Sequence, residues 1–192
     1  PMGPFMDPDG GFWAQAERQP FSNLADKLPG LMDSVEVYFD DRRVPHVFAQ
    51  NDHDLYYMQG YLQARDRLFQ MELQTYDAAG RLSELVGPSL VERDRQSRRW
   101  GMVFGAEQAL AEVQKHEPSW SIFKAYSAGV NAYINSLESE QYPLEYKLLD
   151  MAPEPWNPLK TALLHKNMTR TLAAGNSCLL YTSDAADDVL CV

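Results

Sequence analysis

The chain has 192 residues, 45% of them apolar, and a formal charge of −10; that suits a domain with a hydrophobic core, or part of a larger one, and not a disordered chain. The acidic balance repels phosphate backbones and weighs against nucleic acid as a partner, and no apolar run approaches the roughly 20 residues that cross a bilayer. Both cysteines, Cys178 and Cys191, stand near the end of the chain, which rules out a disulfide framework and a cysteine-ligated zinc site in everything before them.

Residues 1–33 are rich in Pro and Gly and carry Phe5, Phe12, Trp13 and Phe21. They read as an irregular arm that packs its aromatics on the body. Pro1 is not an initiator methionine, so the start, and any export signal, is expected upstream. "VEVYFDDRRVPHVFAQ" follows, with Val35, Val37 and Phe39 alternating with Glu36 and Tyr38, the period of a strand. "DDRR" is a turn candidate, and Pro45 forces Val44 into an extended conformation. A hairpin across 34–49 is predicted. A lone hairpin is marginal in water, so this one needs a larger sheet to join.

The rest reads as helix. "NDHDLYYMQGYLQARDRLFQMELQTYDAA" has Asn51 or Asp52 as cap, Asp54 in its first turn for the dipole, and Leu55, Met58, Leu62, Leu68 and Met71 at helical spacing. "GRLSELVG" is a short helix closed at Gly87-Pro88, and "SLVERDRQSRRW" is a charged turn or helix. "GMVFGAEQALAEVQKH" and "SWSIFKAYSAGVNAYINSL" are amphipathic helices separated by Glu117-Pro118, and "YPLEYKLLD" is another short one. In "APEPWNPLKTALLHKNMTRTLAAG", Asn157 as N-cap and Pro158 at the first helical position mark a start.

Little of this carries chemistry by itself. His46, His53, His116 and His165 are scattered without metal-ligand spacing and read as structural or surface groups, with His46 beside Pro45 the one most worth locating. Arg65, Asp66 and Arg67 lie within an apolar helix pattern, Arg65 seven residues before Glu72; structural ion pairing is the favoured reading over catalysis. Arg93, Arg95, Arg98 and Arg99, interleaved with Glu92 and Asp94, read as a solvated face. No phosphate loop, GxSxG elbow or HExxH motif occurs, and nothing before Ser177 pairs a nucleophile with a base.

Taken together, "VPH", the N-D-x-D-L opening of the long helix, "GYLQARDRLFQM", "AGRLSE", "GVNAYI" and "LEYKLLDMAPEPWNPLKTAL" resemble the α-chain of the penicillin acylase family of N-terminal-nucleophile amidases, from about Gly3 through Ser177. Arg43 departs from the Gly often found before V-P-H in that family, which implies a different turn in the same fold. The resemblance implies a mostly helical α+β portion whose single hairpin joins the αββα sandwich of such a hydrolase. It implies a periplasmic or secreted precursor that cuts itself into an α-chain and a β-chain. The β-chain's terminal Ser would be nucleophile and, through its amine, base. The partners implied are that β-chain and a small acylated amide such as a β-lactam side chain or an acyl-homoserine lactone. On the last helix, Met168 and Leu172 match pocket positions. They are four apart and so share a helical face, and an acyl pocket or ordinary core are both open for them. The bulky aromatic of the family falls on Leu172 and its nearby Arg on Thr171, with Arg170 one position early. No cofactor and no catalytic residue is expected in this fragment; calcium is expected only in the full-length enzyme, because its α-chain carboxylate falls beyond Ser177.

The expected organisation is therefore an arm at 1–33, an α-chain portion at 34–177, and a tail at 178–192 that resembles a translated sequencing adapter. Cys178 follows Ser177 and not Gly, which argues against a processing point there. A fragment without nucleophile, base or oxyanion hole is expected to be inactive. The alternative is a non-enzymatic helical binding module with the hairpin as a small cap.

Overall fold

A computed structural model describes residues 28–173. The expectations for the rest of the arm and for residues 178–192 lie outside the described residues. The described elements are strands β1 (Glu36–Phe39) and β2 (Pro45–Phe48) and seven helices: α1 (Asp52–Ala79), α2 (Leu82–Val86), α3 (Val91–Arg99), α4 (Met102–Gln114), α5 (Glu117–Ser136), α6 (Leu144–Leu148) and α7 (Pro158–Ala173). Single 3₁₀ turns occupy Pro88–Leu90 and Ser139–Gln141. The expected mostly helical α+β fold is what the chain adopts, and its described sheet has two antiparallel strands. The described residues form two compact units, one from 28–73 with 111–158 and one from 74–110 with 159–173.

In the first unit the hairpin pairs Val37 with Val47 and Tyr38 with His46. Period-two alternation sorts its faces: Val37 is buried, while Glu36, Tyr38, His46 and Phe48 are exposed. Tyr38 and Phe48 meet edge-to-face at 5.9 Å on the open face. The turn is organised by Asp40, whose Oδ1 accepts from the backbone N–H of Arg42 (3.0 Å) and Val44 (2.8 Å). Arg43 sits at φ 62°, in the left-handed region that Gly favours. Arg43→Gly is accordingly expected to raise the urea midpoint of unfolding, by about 0.5–1 kcal/mol in stability; an unchanged or lower midpoint would show that the Arg43 side chain outweighs its backbone cost.

Asn51 caps α1: its Oδ1 accepts from Asp54 N–H at 2.8 Å. Met58, Leu62, Leu68 and Met71 are buried as their spacing predicts. Leu55 is instead 37% exposed, and Tyr57 and Tyr61 fill the core face. The helix is interrupted at Arg67, with φ −147° and ψ 27°. Against α1 lies α5, joined by Tyr61 and Tyr133 edge-to-face at 5.6 Å and by the Tyr126 hydroxyl, which donates to Gln63 at 2.6 Å. Glu117-Pro118 does not separate two helices as a break; it is the first turn of α5, where a missing N–H costs nothing, and the His116 ring accepts from Ser119 N–H as the cap. Buried Glu72 takes a bond from the Tyr146 hydroxyl of α6 and another from Glu154 N–H at 3.0 Å. Asn131 exchanges both amide bonds with the backbone of Trp156, at 2.8 and 2.7 Å, as a strand partner would. These two side chains hold the non-helical stretch that leads into α7.

In the second unit, "AGRLSE" is a turn-and-cap device. Gly80 has φ 67°, and a Cβ there would stand 2.6 Å from Asp94 O. Asp94 then caps α2, accepting from Leu82 N–H at 2.9 Å and from Ser83 N–H at 2.8 Å and its hydroxyl at 2.5 Å. Burial alone would raise the Asp94 carboxyl, but these donors outweigh it and hold it below its ordinary value. The solvated-face reading of this segment holds for Arg93, Arg95, Arg98 and Arg99, all exposed, but not for Asp94. Asp94 and Ser97 are buried, Arg93 pairs with Asp77 at 2.8 Å, and Arg98 donates to Gly80 O at 2.9 Å. Arg95 and Glu92 pair with each other in the open.

Candidate functional site

The last described helix is the candidate site. Pro158 opens α7 with its φ already helical. Lys160, Ala162 and Leu163 are buried, which sets the inward face. Arg170, seven residues beyond Leu163, continues that face. Its Nη2 donates to Asn167 Oδ1 at 3.0 Å and reaches Asp77 Oδ2 at 3.4 Å. Its guanidinium also lies 4.5 Å from the centroid of the Trp100 ring. Asp77 meanwhile takes two bonds from Arg93, at 2.8 and 3.2 Å. Arg170 is thus committed inward to a carboxylate and an indole.

The outward face carries His165, Met168 and Leu172, all exposed, with Met168 at 62% and Leu172 at 79%. Met168 and Leu172 share one face, as their spacing predicts.

The other residues singled out from sequence have structural roles. His46 stands 3.6 Å from Asp40 in the hairpin turn, with its side chain 54% exposed. His53 lies 3.0 Å from buried Asp54, and His116 caps α5. Arg65 pairs with Asp66 at 3.0 Å and covers the Phe39 ring at 4.8 Å, the structural pairing favoured from the sequence.

Asp54 was legible only as a first-turn acid, yet it is buried and accepts several hydrogen bonds. Its two oxygens accept from Met32 N–H (2.9 Å), Asp33 N–H (2.8 Å) and Asn51 Nδ2 (2.8 Å). It thereby ties the segment before the hairpin to the start of α1. Burial pushes its carboxyl up, but the donors outweigh that and bring it down to about 2. Among the described residues no three carboxylate, histidine or cysteine side chains converge as a metal ion requires. The carboxylate expected beyond Ser177 is outside them.

Comparison with known proteins gives the fold and the motifs a common origin. Residues 34–188 match the penicillin amidase family, a span that passes the boundary expected at Ser177. The chain is 34% identical to the penicillin acylase 2 proenzyme of Pseudomonas sp. (strain SE83), over 93% of this chain and 24% of that protein. It is 28% identical to penicillin G acylase of Escherichia coli, over 71% of this chain and 17% of that protein. It is 30% identical to the acyl-homoserine lactone acylase QuiP of Pseudomonas aeruginosa, over 78% of this chain and 17% of that protein. The chain thus spans a quarter or less of these relatives. Among solved structures, a thermostable penicillin G acylase from Alcaligenes faecalis superposes with a TM-score of 0.62 at 31% identity, covering 75% of this chain and 73% of that one. The chain belongs to the penicillin amidase family.

Proposed function

We propose that this chain is the α-chain portion of an amidase that hydrolyses the bond between an acyl group and an amine. The observation that carries this reading is the family match across residues 34–188, among relatives named as penicillin acylases and acyl-homoserine lactone acylases. The nucleophile and its base would lie in a β-chain, on a terminal Ser whose own amine takes the hydroxyl proton. The exported, self-cleaving precursor belongs to the same reading. The hairpin, with Tyr38 and Phe48 in the open, would add its edge to the β-chain's sheet. Met168 and Leu172 would form one wall of the acyl pocket. Met suits such a wall because its unbranched side chain adapts to the occupant.

The test is to recover the reading frame on both sides of this chain and express the whole protein. Release of amine from phenylacetyl or alkanoyl amides supports the reading, and a well-folded full protein that releases none overturns it. Met168→Ala and Leu172→Ala are each expected to lower kcat/KM for an alkanoyl amide about tenfold through lost apolar contact. Residues 1–192 alone are expected to release no amine.

A further inference from the structure

Charge is divided unevenly between the two units. Residues 28–73 and 111–158 hold seven Lys and Arg against fifteen Asp and Glu, whereas residues 74–110 and 159–173 hold eight against five. Of those five acids, Asp94 is buried under its donors and Asp77 is taken by Arg93 and Arg170. The second unit is thus a cationic body in an acidic chain. Arg95 and Arg99, four apart, share the face of α3 opposite buried Asp94 and Ser97, and both are exposed.

Two rings stand in the open beside these cations. Trp100 follows Arg99 directly and Phe104 lies in the first turn of α4, each more than half exposed. The packing of α4 does not use Phe104, because Met102 and Ala106 form its buried face. The Arg170 guanidinium covers the Trp100 ring at 4.5 Å, and Lys166, one turn earlier on α7, has its Cε 3.7 Å from where a Gly105 Cβ would stand. One face of α7 therefore borders the ring-bearing segment with two cations. It is not the outward face of Met168 and Leu172. From Trp100 to Leu110 the one carboxylate is Glu107.

We infer that this surface docks the protein on an anionic lipid bilayer, with Trp100 and Phe104 at the headgroup boundary and Arg95 and Arg99 over the phosphates. The two chemistries are needed together. A soluble anion would answer the arginines and leave the rings in water, and a neutral apolar partner would leave the charges unanswered. A bilayer surface offers a negative plane above an apolar layer, which Trp, Phe and Arg side chains straddle. Such docking is peripheral and needs no helix that crosses. On the amidase reading it would hold the protein where acylated molecules gather; the docking itself does not rest on that reading.

The experiment sediments the full-length protein with vesicles of phosphatidylcholine alone and of phosphatidylcholine mixed with phosphatidylglycerol. Binding to the mixed vesicles only, weakening as salt is raised, is the expected result. Arg99→Gln is expected to lower the partition coefficient about fivefold and Phe104→Ser about tenfold; both are exposed positions. Lys124→Gln, at an exposed cation of the first unit, is expected to leave it within about twofold. No binding to the mixed vesicles, equal binding to both kinds, or binding that Arg99→Gln or Phe104→Ser leaves unchanged would overturn the inference. Retention on immobilised polyglutamate without vesicle binding would give the face to an acidic protein and overturn it likewise. Vesicle binding is read without substrate, so it stands or fails apart from amide hydrolysis.

Discussion

Gly129→Ala is expected to destabilise the chain by about 3 kcal/mol, at the upper end of what overpacking costs. The reason is space. A Cβ on Gly129 would stand 1.9 Å from the carbonyl oxygen of Tyr57 and 3.0 Å from Tyr61 N, and one on Gly60 would stand 2.2 Å from Tyr126 O. The clashing atoms are backbone, which cannot rotate aside as a side chain can. The two helices would have to move apart, and the Tyr61–Tyr133 contact with the buried Val130 and Tyr57 would loosen with them. The helix propensity that Ala adds, about 1 kcal/mol, offsets only part of this. Because both glycines serve one crossing, Gly60→Ala on top of Gly129→Ala is expected to cost much less than it does alone. Gly105 is the control: it is helical and its Cβ would meet only Lys166 Cε at 3.7 Å. Gly105→Ala should therefore hold stability or raise it by up to about 1 kcal/mol. Chemical denaturation of the three variants measures the contrast, and a Gly129→Ala midpoint equal to that of the native chain would refute the crossing.

Acid should weaken the link between the hairpin approach and α1. The Asp54 carboxyl moves from 3.8 to about 2 on folding. Its folded-state value is the lower one, so its contribution is full above pH 3.8, falls as pH drops toward 2, and is gone below that. At about 1.4 kcal/mol per unit, the contribution is about 2 kcal/mol. Asp54→Asn is expected to lose a similar amount at neutral pH, since an amide NH₂ would face N–H groups of Met32 or Asp33 that now donate to an oxygen. The diagnostic is the difference in unfolding free energy between native and variant as a function of pH. That difference should be flat above pH 5 and shrink toward zero at pH 2. A difference that stays constant into acid would mean that Asp54 acts through its shape and not its charge.

What the sequence made legible was whatever local chemistry decides. The hairpin was readable because alternation and Val44-Pro45 both demand extended backbone. The starts of α1 and α7 were readable because Asn51 and Pro158 satisfy helix ends by themselves. Charged residues were misread for the opposite reason. Asp94 in "VERDRQSRR" carries no mark of burial, since its partners Leu82 and Ser83 lie eleven or twelve residues earlier. Asp54 looked like a dipole partner because Met32 and Asp33, more than twenty residues before it, cannot be placed from spacing. Of the α7 face, the common side of Met168 and Leu172 followed from helical period alone. The inward commitment of Arg170 required Asp77, which is 93 positions away.

That separation also bears on synthesis. At 5–20 residues per second, roughly 5–20 s pass between the addition of Asp77 and that of Arg170 on the ribosome. For most of that interval Arg93, only 16 positions on, has been made and can serve Asp77 as a counter-ion. A nascent chain could therefore satisfy the charge of Asp77 locally before α7 is made. α7 then arrives as a late addition that shares an existing ion pair, with Trp100 waiting as its seat.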